Sequence, residues 1–223
     1  MPVMPIHRWL FSKIKMVAGR EEFLVREMTS RFGAAAGRMA EDILSKYDPP
    51  ADDLQLEIEA QEMSIQNWLY SQIAAVETRE GAAVKASEEK LGDAGIQAMR
   101  EIYRDHGRNT DEALREGPTG SKNPMGVQET FGLLQNCFLD GMPCDQVVEV
   151  AQASVNRIEW HHVDCLHLEH WKETGVSGKT MCSLLGDWLQ GFAAGLNPGI
   201  AHQRKAAIVN GSQSCIDVYE QAS

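Results

Sequence analysis

The sequence lacks long apolar runs and lacks an excess of basic charge. No stretch approaches the roughly 20 consecutive apolar residues that a membrane-spanning helix needs. Acidic residues outnumber basic ones, 32 against 21, which gives a formal net charge of −11. A negative field of this size repels phosphate backbones and anionic lipid. We therefore expect neither nucleic acid nor a membrane as a partner.

Several familiar catalytic motifs are also missing. The sequence contains no Walker loop, no GxGxxG fingerprint, no GxSxG nucleophile elbow and no protein-kinase motif set. Each of these motifs places backbone or side-chain groups around a phosphate or an acyl intermediate. Their absence argues against nucleotide-dependent chemistry and against an α/β-hydrolase.

Signals of secretion are scarce. His7, Arg8, Lys13 and Lys15 interrupt the first residues before an apolar signal segment forms. The five cysteines are odd in number and include no CxxC pair. A chain of 223 residues buries enough surface to be stable without disulfides. We therefore expect a cytoplasmic protein with reduced thiols.

The N-terminal part has the apolar spacing of helices. Helical periodicity runs over 9–32 and continues in character through 33–46, up to the break at Asp48-Pro49-Pro50. Further helical blocks are predicted over 51–81 and 82–106. We therefore expect residues 1–110 to be helical and residues 111–126, which are rich in glycine and proline, to form a loop.

The C-terminal part, residues 127–223, has mixed character. Residues 146–163 are rich in β-branched and aromatic side chains and predict one or two strands. Asn210-Gly211 is a hairpin signal between a strand over 200–209 and another over 214–220. Helices are predicted at 127–139, at Cys165–Trp171 and at 179–194. The predicted class is α+β, in which a helical N-terminal half precedes a small antiparallel sheet packed with helices, and we expect the parts to form one integrated domain.

The segment His161–His170 is the densest group of reactive side chains. It holds four of the seven histidines together with Cys165. Thiolate and imidazole are good zinc ligands, so one interpretation is a metal site. The candidate ligands are Cys165, His167, His170 and Cys182. The cofactor is therefore either none or zinc.

A thiolate nucleophile is the second interpretation. Cys165 follows a predicted strand, and Cys182 falls in the first turn of a predicted helix, where the helix dipole favours a thiolate. A nearby histidine would act as the base and a carboxylate would orient it. The catalytic candidates are Cys165, Cys182, His162, His167 and Asp187, and the substrate-binding candidates are Arg204, His170 and Trp160. Each cysteine also fits a simple core position, and Cys215 is expected to be structural.

Residues 150–220 resemble the L-2-amino-thiazoline-4-carboxylic acid hydrolase family. The matching features are Cys165 with Glu169, Cys182 with Asp187, the turn Gly195-Leu196-Asn197-Pro198, and Asn210-Gly211 leading to Cys215. The layout is also similar to vinyl-reductase-type ligand-binding domains, in which helices pack on an antiparallel sheet. The resemblance implies hydrolytic opening of a small heterocycle or a related C–N or C–S bond.

Two functions follow from these observations. The first is a small-molecule hydrolase that uses a cysteine thiolate or a Cys/His-bound metal ion. The alternative is a non-catalytic sensor module of the vinyl-reductase type, which would bury an apolar ligand between helices and sheet. The expected partner is a small-molecule substrate, and a homo-oligomer is left open.

Overall fold

A computed structural model describes residues 3–54, 64–115 and 124–222, without the side chains of 111–115. The described residues contain six α-helices and four strands, which confirms the predicted α+β class. The helices are α1 (Pro5–Phe32), α2 (Ala34–Leu44), α3 (Ile65–Arg115), α4 (Val127–Cys137), α5 (Leu168–Thr174) and α6 (Gly178–Leu196). The strands are β1 (Val148–Ala153), β2 (Arg157–His162), β3 (Ile200–Ala206) and β4 (Cys215–Gln221). None of the helices in these residues combines the length and the apolar character that crossing a bilayer requires.

Several helix boundaries differ from the predicted ones; the helix predicted at Cys165–Trp171, for example, is observed at Leu168–Thr174. Gly33, with φ +82°, separates α1 from α2, where the sequence indicated continuing helical character. The predicted boundary after Gly81 is wrong, because α3 runs through it and is interrupted instead at Gly92, with φ +57° and ψ −140°. Glycine reaches this backbone conformation without the steric cost that a Cβ would bring. Apolar periodicity could not show that the helix is interrupted at Gly92 and not at Gly81, because it reports the spacing of side chains and not the backbone angles.

The predicted loop also begins too early. Helix α3 continues through Arg115, so residues 111–115 are helical although the sequence placed them in the loop. Polar residues at 108–112 carry no apolar signal, which is why the periodicity ended before the helix did. The rest of the predicted loop at 116–123, and residues 55–63 of the second predicted helical block, lie outside the described residues.

The four strands form one antiparallel sheet in the order β1-β2-β4-β3. Strands β3 and β4 pair as the Asn210-Gly211 signal predicted, from Ile200 opposite Gln221 to Ala206 opposite Ile216. The connection is longer than a two-residue turn, because a short 3₁₀ turn at Ile208–Asn210 precedes Gly211. Strand β3 lies at an edge of the sheet, which leaves part of its backbone to pair with other groups.

The chain forms two compact units, of which unit 1 is mainly helical. Unit 1 contains residues Met1–Gly95, Asn136–Asp145 and His167–Val176. Its core brings the apolar stripe of α1 against the first turns of α3, as expected for amphipathic helices. The core residues are Leu10, Phe11, Ile14, Val17, Leu54, Ile65, Trp68, Leu69, Ile73, Val76 and Leu139.

Unit 2 contains the sheet together with α4, α6 and the later part of α3. It comprises Ile96–Gln135, Gln146–Leu166 and Ser177–Ser223. Helix α6 packs on one face of the sheet, where Tyr219 donates its hydroxyl hydrogen bond to the Leu189 carbonyl at 3.0 Å. The opposite side of α6 approaches α3 closely, because a Cβ on Gly191 would lie within 1.9 Å of the Arg104 carbonyl oxygen. Helix α6 is thus held between the sheet and α3.

Candidate functional site

Strand alternation places several polar side chains under α6. Neighbours two positions apart in a strand share a face, so His202 and Arg204 of β3 point the same way. On β4, Asp217 lies directly opposite Arg204, and Tyr219 lies directly opposite His202. The face they share is the one that α6 covers. We call Cys182, His202, Arg204 and Asp217 the thiol–guanidinium site.

Consecutive turns of α6 meet these strand residues in order. Arg204 contacts Cys182 in the first part of the helix. One turn further along, a Cβ on Gly186 would lie 3.8 Å from His202 Cε1. A helical turn advances about 5.4 Å, so the imidazole and the thiol lie roughly one turn apart along the same helix face. That distance is an ordinary van der Waals contact, so the imidazole ring packs against this turn of the helix.

Arg204 joins the thiol to a buried carboxylate. Its Nη1 donates to Cys182 Sγ at 2.9 Å and to the Cys182 carbonyl oxygen at 2.6 Å. Its Nε donates to Asp217 Oδ1 at 2.8 Å, and its Nη2 donates to Asp217 Oδ2 at 3.3 Å. The planar guanidinium fixes both partners at once, which a lysine ammonium could not do.

Asp217 is a buried anion held by two residues, Arg204 and His202. Its side chain is 1% exposed, and His202 Nε2 lies 2.8 Å from Oδ1. Burial alone would raise the pKa of Asp217, but the hydrogen bond from His202 and the charge of Arg204 outweigh it, so the pKa is lowered. An ionised carboxylate only accepts hydrogen bonds, so Nε2 of His202 carries the proton. A neutral His202 is then left with Nδ1 as its basic nitrogen.

Two effects change the pKa of the Cys182 thiol in opposite directions. Burial raises the pKa of Cys182, and the positive charge and hydrogen bond of Arg204 only partly offset this effect. The thiol is therefore protonated at rest at neutral pH. Arg204 supplies the electrostatic stabilisation that a thiolate would need once the proton leaves.

Cys215 lies on the same face of the sheet as Asp217, two residues before it on β4. It is 9% exposed, and its Sγ accepts a hydrogen bond from the Ile208 amide at 3.4 Å. His162 of β2 is directly opposite Cys215. Its sequence neighbour His161 points to the other face and contacts Glu159 at 3.2 Å, as alternation along a strand requires.

Sequence reasoning missed His202 and Asp217 as site residues. The signal is present in part, because alternation along the predicted strand over 214–220 puts Cys215, Asp217 and Tyr219 on one face. A carboxylate on the face that a predicted apolar helix would cover needs a cationic partner, and Arg204 and His202 are candidates on the neighbouring strand. The pairing register was needed to select them.

Asp187 does not orient a histidine, contrary to the prediction. It accepts a hydrogen bond from Arg100 Nε at 2.8 Å and another from Arg104 Nη2. Asp187 follows Cys182 by five residues, which is about 140° around a helix with 3.6 residues per turn. It therefore faces α3, whereas Cys182 faces the sheet.

Three other candidates have different surroundings. His167 Nδ1 lies 2.6 Å from Glu77 Oε1, and His170 Nε2 lies 3.9 Å from Glu77 Oε2, all within unit 1. Trp160 is 2% exposed and packs against the rings of Phe131 and Tyr219, with centroids 5.0 Å apart in each case. The tryptophan is thus a core residue of unit 2, where the prediction had it contacting substrate.

The predicted zinc ligands are divided between the two units. Cys165 and Cys182 belong to unit 2, whereas His167 and His170 belong to unit 1. Cys165 is half-buried, and its amide donates to Asp164 Oδ1 at 2.7 Å. Across the described residues, no three His, Cys, Asp or Glu side chains are arranged to hold a metal ion.

No model of a known protein family matches this chain, and no curated protein is significantly similar to it. The family resemblance of residues 150–220 therefore stays a prediction.

Proposed function

We propose that this protein is a small-molecule hydrolase in which Cys182 is the nucleophile. The observation that carries the proposal is the Arg204 guanidinium, which lies 2.9 Å from Cys182 Sγ and is fixed by Asp217. A cation held against a sulfur stabilises the thiolate relative to the thiol. The substrate class is a small heterocycle or amide-like compound with a C–N or C–S bond to be cleaved.

The first step transfers a proton and forms a thioester-type bond. Because the imidazole and the thiol lie roughly one helical turn apart, the proton of the Cys182 thiol reaches His202 through one intervening water, and the sulfur attacks the electrophilic carbon. The C–N or C–S bond breaks, and the imidazolium returns its proton to the departing nitrogen or sulfur. Asp217 stabilises the imidazolium in the interval. Water then attacks the acyl carbon, His202 takes one water proton and returns it to the departing Cys182 sulfur, and the water oxygen becomes a carboxyl oxygen of the product.

Arg204 has a different role from the one that its sequence position predicted. The prediction had it binding substrate, but its Nε, Nη1 and Nη2 are directed at Asp217 and Cys182. We assign Arg204 as a positioning residue that fixes the Cys182 sulfur and the Asp217 carboxylate relative to each other. Its effect on catalysis is exerted through Cys182.

Trapping a covalent adduct tests the proposal directly. The wild-type protein and Cys182→Ala are incubated with a panel of thiazolines, lactams and activated amides, and product formation and intact mass are measured. We expect turnover and an acyl adduct at Cys182 in the wild type, and neither in Cys182→Ala. Cys144→Ala, at an exposed cysteine, is the matched control and should keep both. Undiminished turnover in a folded Cys182→Ala variant would refute the nucleophile.

Calorimetry and metal analysis of the same proteins distinguish the two remaining alternatives. A sensor module would bind a compound of the panel, seen by calorimetry, without turning it over in any variant. A zinc hydrolase would retain stoichiometric zinc after purification and would lose its activity on chelation. Either result would replace the thiolate mechanism.

A further inference from the structure

We propose that Cys182 and Cys215 form a reversible disulfide when the protein meets hydrogen peroxide, with Cys182 as the peroxidatic thiol and Cys215 as the resolving thiol. This goes beyond the proposed hydrolysis, since the pair would be a modification site whatever the substrate is. All five cysteines lie within the described residues, and none of them is disulfide-bonded.

The first observation is that the two cysteines flank one ion pair, that of Arg204 with Asp217. Arg204 binds Cys182 Sγ directly, and it binds Asp217, which shares a sheet face with Cys215. Residues two positions apart on a strand are about 6.6 Å apart. Both thiols also act electrostatically on Arg204. Cys182 and Cys215 therefore lie on either side of the Arg204–Asp217 pair, close enough for the two thiols to interact electrostatically.

The second observation is that Cys215 is held weakly. It is the first residue of β4 and follows the turn that begins with the 3₁₀ segment at Ile208–Asn210. Its sulfur accepts one hydrogen bond, from the Ile208 amide at 3.4 Å, and sulfur is a weak acceptor. A side chain at a strand end with one weak bond is the one of the two thiols that rearranges more easily.

The third observation concerns which thiol reacts first and with what. Burial raises the pKa of Cys182 and Arg204 only partly offsets this effect, but Arg204 contacts the Cys182 sulfur directly and can also donate a hydrogen bond to the departing oxygen of the peroxide. Cys182 is 9% exposed, so only a small oxidant reaches it. Hydrogen peroxide meets this requirement, whereas a bulky disulfide such as oxidised glutathione does not.

The chemistry balances in two steps. The Cys182 sulfur attacks one peroxide oxygen, the O–O bond breaks, and the thiol becomes a sulfenic acid as the peroxide is reduced to water. The Cys215 sulfur then attacks the sulfenic sulfur, an S–S bond forms and the S–O bond breaks. The hydroxide leaves with the Cys215 proton as a second water. A dithiol reductant reverses the change.

Peptide mapping after brief exposure to hydrogen peroxide tests the pairing. Trypsin separates the two thiols, since cleavage after Lys179, Arg204 and Lys205 places Cys182 and Cys215 in different peptides. We expect the full-length protein to lose about 2 Da and to yield one cross-linked pair, residues 180–204 with residues 206–223. Treatment with dithiothreitol should restore the original mass.

Three variants make the test decisive. Cys215→Ser should stop at a sulfenic acid on Cys182, which dimedone traps, and Cys182→Ser should leave Cys215 reduced. Cys144→Ser, at the exposed cysteine, should keep the cross-link and is the matched control. Oxidation confined to Cys144 and Cys165, or overoxidation of Cys182 in the wild type without a cross-link, would overturn the proposal.

The readout also separates this proposal from the proposed function. The cross-link is measured by mass, so it can be found in a protein with no hydrolase activity, which would then refute only the hydrolysis. Turnover that depends on Cys182 without any cross-link would refute only the disulfide. Where both hold, oxidation should abolish turnover and dithiothreitol should restore it.

Discussion

His167 Nδ1 lies 2.6 Å from Glu77 Oε1, although the two residues are 90 positions apart in the chain. The Glu77 side chain is 5% exposed, and the imidazole of His167 stacks on Trp171 with ring centroids 5.1 Å apart. The pair thus ties α5 to α3 within unit 1, and it occupies a histidine that the sequence suggested for catalysis or for zinc.

The His167–Glu77 pair predicts a pH-dependent contribution to stability. Burial alone would lower the pKa of His167, but the charge and hydrogen bond of Glu77, with Asp140 and Glu80, raise it above its ordinary value. A raised folded-state pKa gives stability that is fully present below the unfolded value of about 6.5 and is lost as pH rises through the folded value. His167→Gln should therefore cost about 1.5–3 kcal/mol at the acidic end and less at alkaline pH.

Urea unfolding between pH 5.5 and pH 9 measures this effect. The matched background is Glu77→Gln, which keeps the shape of the side chain and removes its charge. His167→Gln made in that background should show little pH dependence, because the pair is already broken. An unchanged pH dependence in both backgrounds would contradict the assignment.

The contact between Arg204 and Cys182 predicts how the thiol reacts. The wild-type rate of alkylation at Cys182 should rise steadily into the alkaline range, because burial raises the pKa of the thiol. Arg204→Lys keeps a positive charge but loses the planar fork, so the pKa should rise further and alkylation at pH 8 should slow by roughly tenfold per pKa unit. Quantitative peptide mapping with iodoacetamide gives the rate at each cysteine.

Cys144 is the internal control for this measurement, because its exposed thiol should alkylate at the same rate in both proteins. Circular dichroism establishes that Arg204→Lys is folded. Equal or faster alkylation of Cys182 in a folded variant would show that Arg204 does not stabilise the thiolate.

The pairing of Asp187 with two arginines predicts a structural role. Asp187 is 7% exposed in its side chain, whereas Arg100 and Arg104 are 46% and 43% exposed. Solvent screens half-exposed arginines, so Asp187→Asn should cost about 1–2 kcal/mol rather than the full value of a buried ion pair. Thermal unfolding measures the loss, and Glu88→Gln, in an exposed pair with Lys85, should cost less than about 0.5 kcal/mol. Alkylation of Cys182 should be unchanged in Asp187→Asn, and a large change would place Asp187 in the site.

Replacing Gly92 with alanine should change the stability in the opposite direction from replacing an ordinary helical glycine. Alanine at an exposed glycine inside a regular helix stabilises by about 0.5–1 kcal/mol, and Gly19→Ala in α1, where a Cβ would meet nothing within 4 Å, should follow that rule. At Gly92, φ is +57° and ψ is −140°, so alanine is strained and should destabilise by about 1–3 kcal/mol. Both glycines lie in unit 1, and urea unfolding compares them. Stabilisation by Gly92→Ala would mean that α3 is continuous there in solution.

Local sequence patterns predicted a large part of the fold. Apolar spacing predicted α1 and α6, and Asn210-Gly211 predicted the pairing of β3 with β4, because each pattern acts within a few residues. The Gly92 interruption escaped prediction, since glycine spacing alone does not distinguish Gly92 from Gly81, which stays helical. Strand alternation correctly put Cys215 and Asp217 on one face.

The sequence by itself determined that this is an α+β chain with Cys182 near the start of a helix and Arg204 on a strand. Only the tertiary structure decided that Arg204 meets Cys182, that Asp187 turns to α3, and that Glu77 engages His167. Periodicity assigns a side chain to a face of its own element. The partner across that face depends on how helix and sheet pack to exclude water, and that packing is a property of the whole chain.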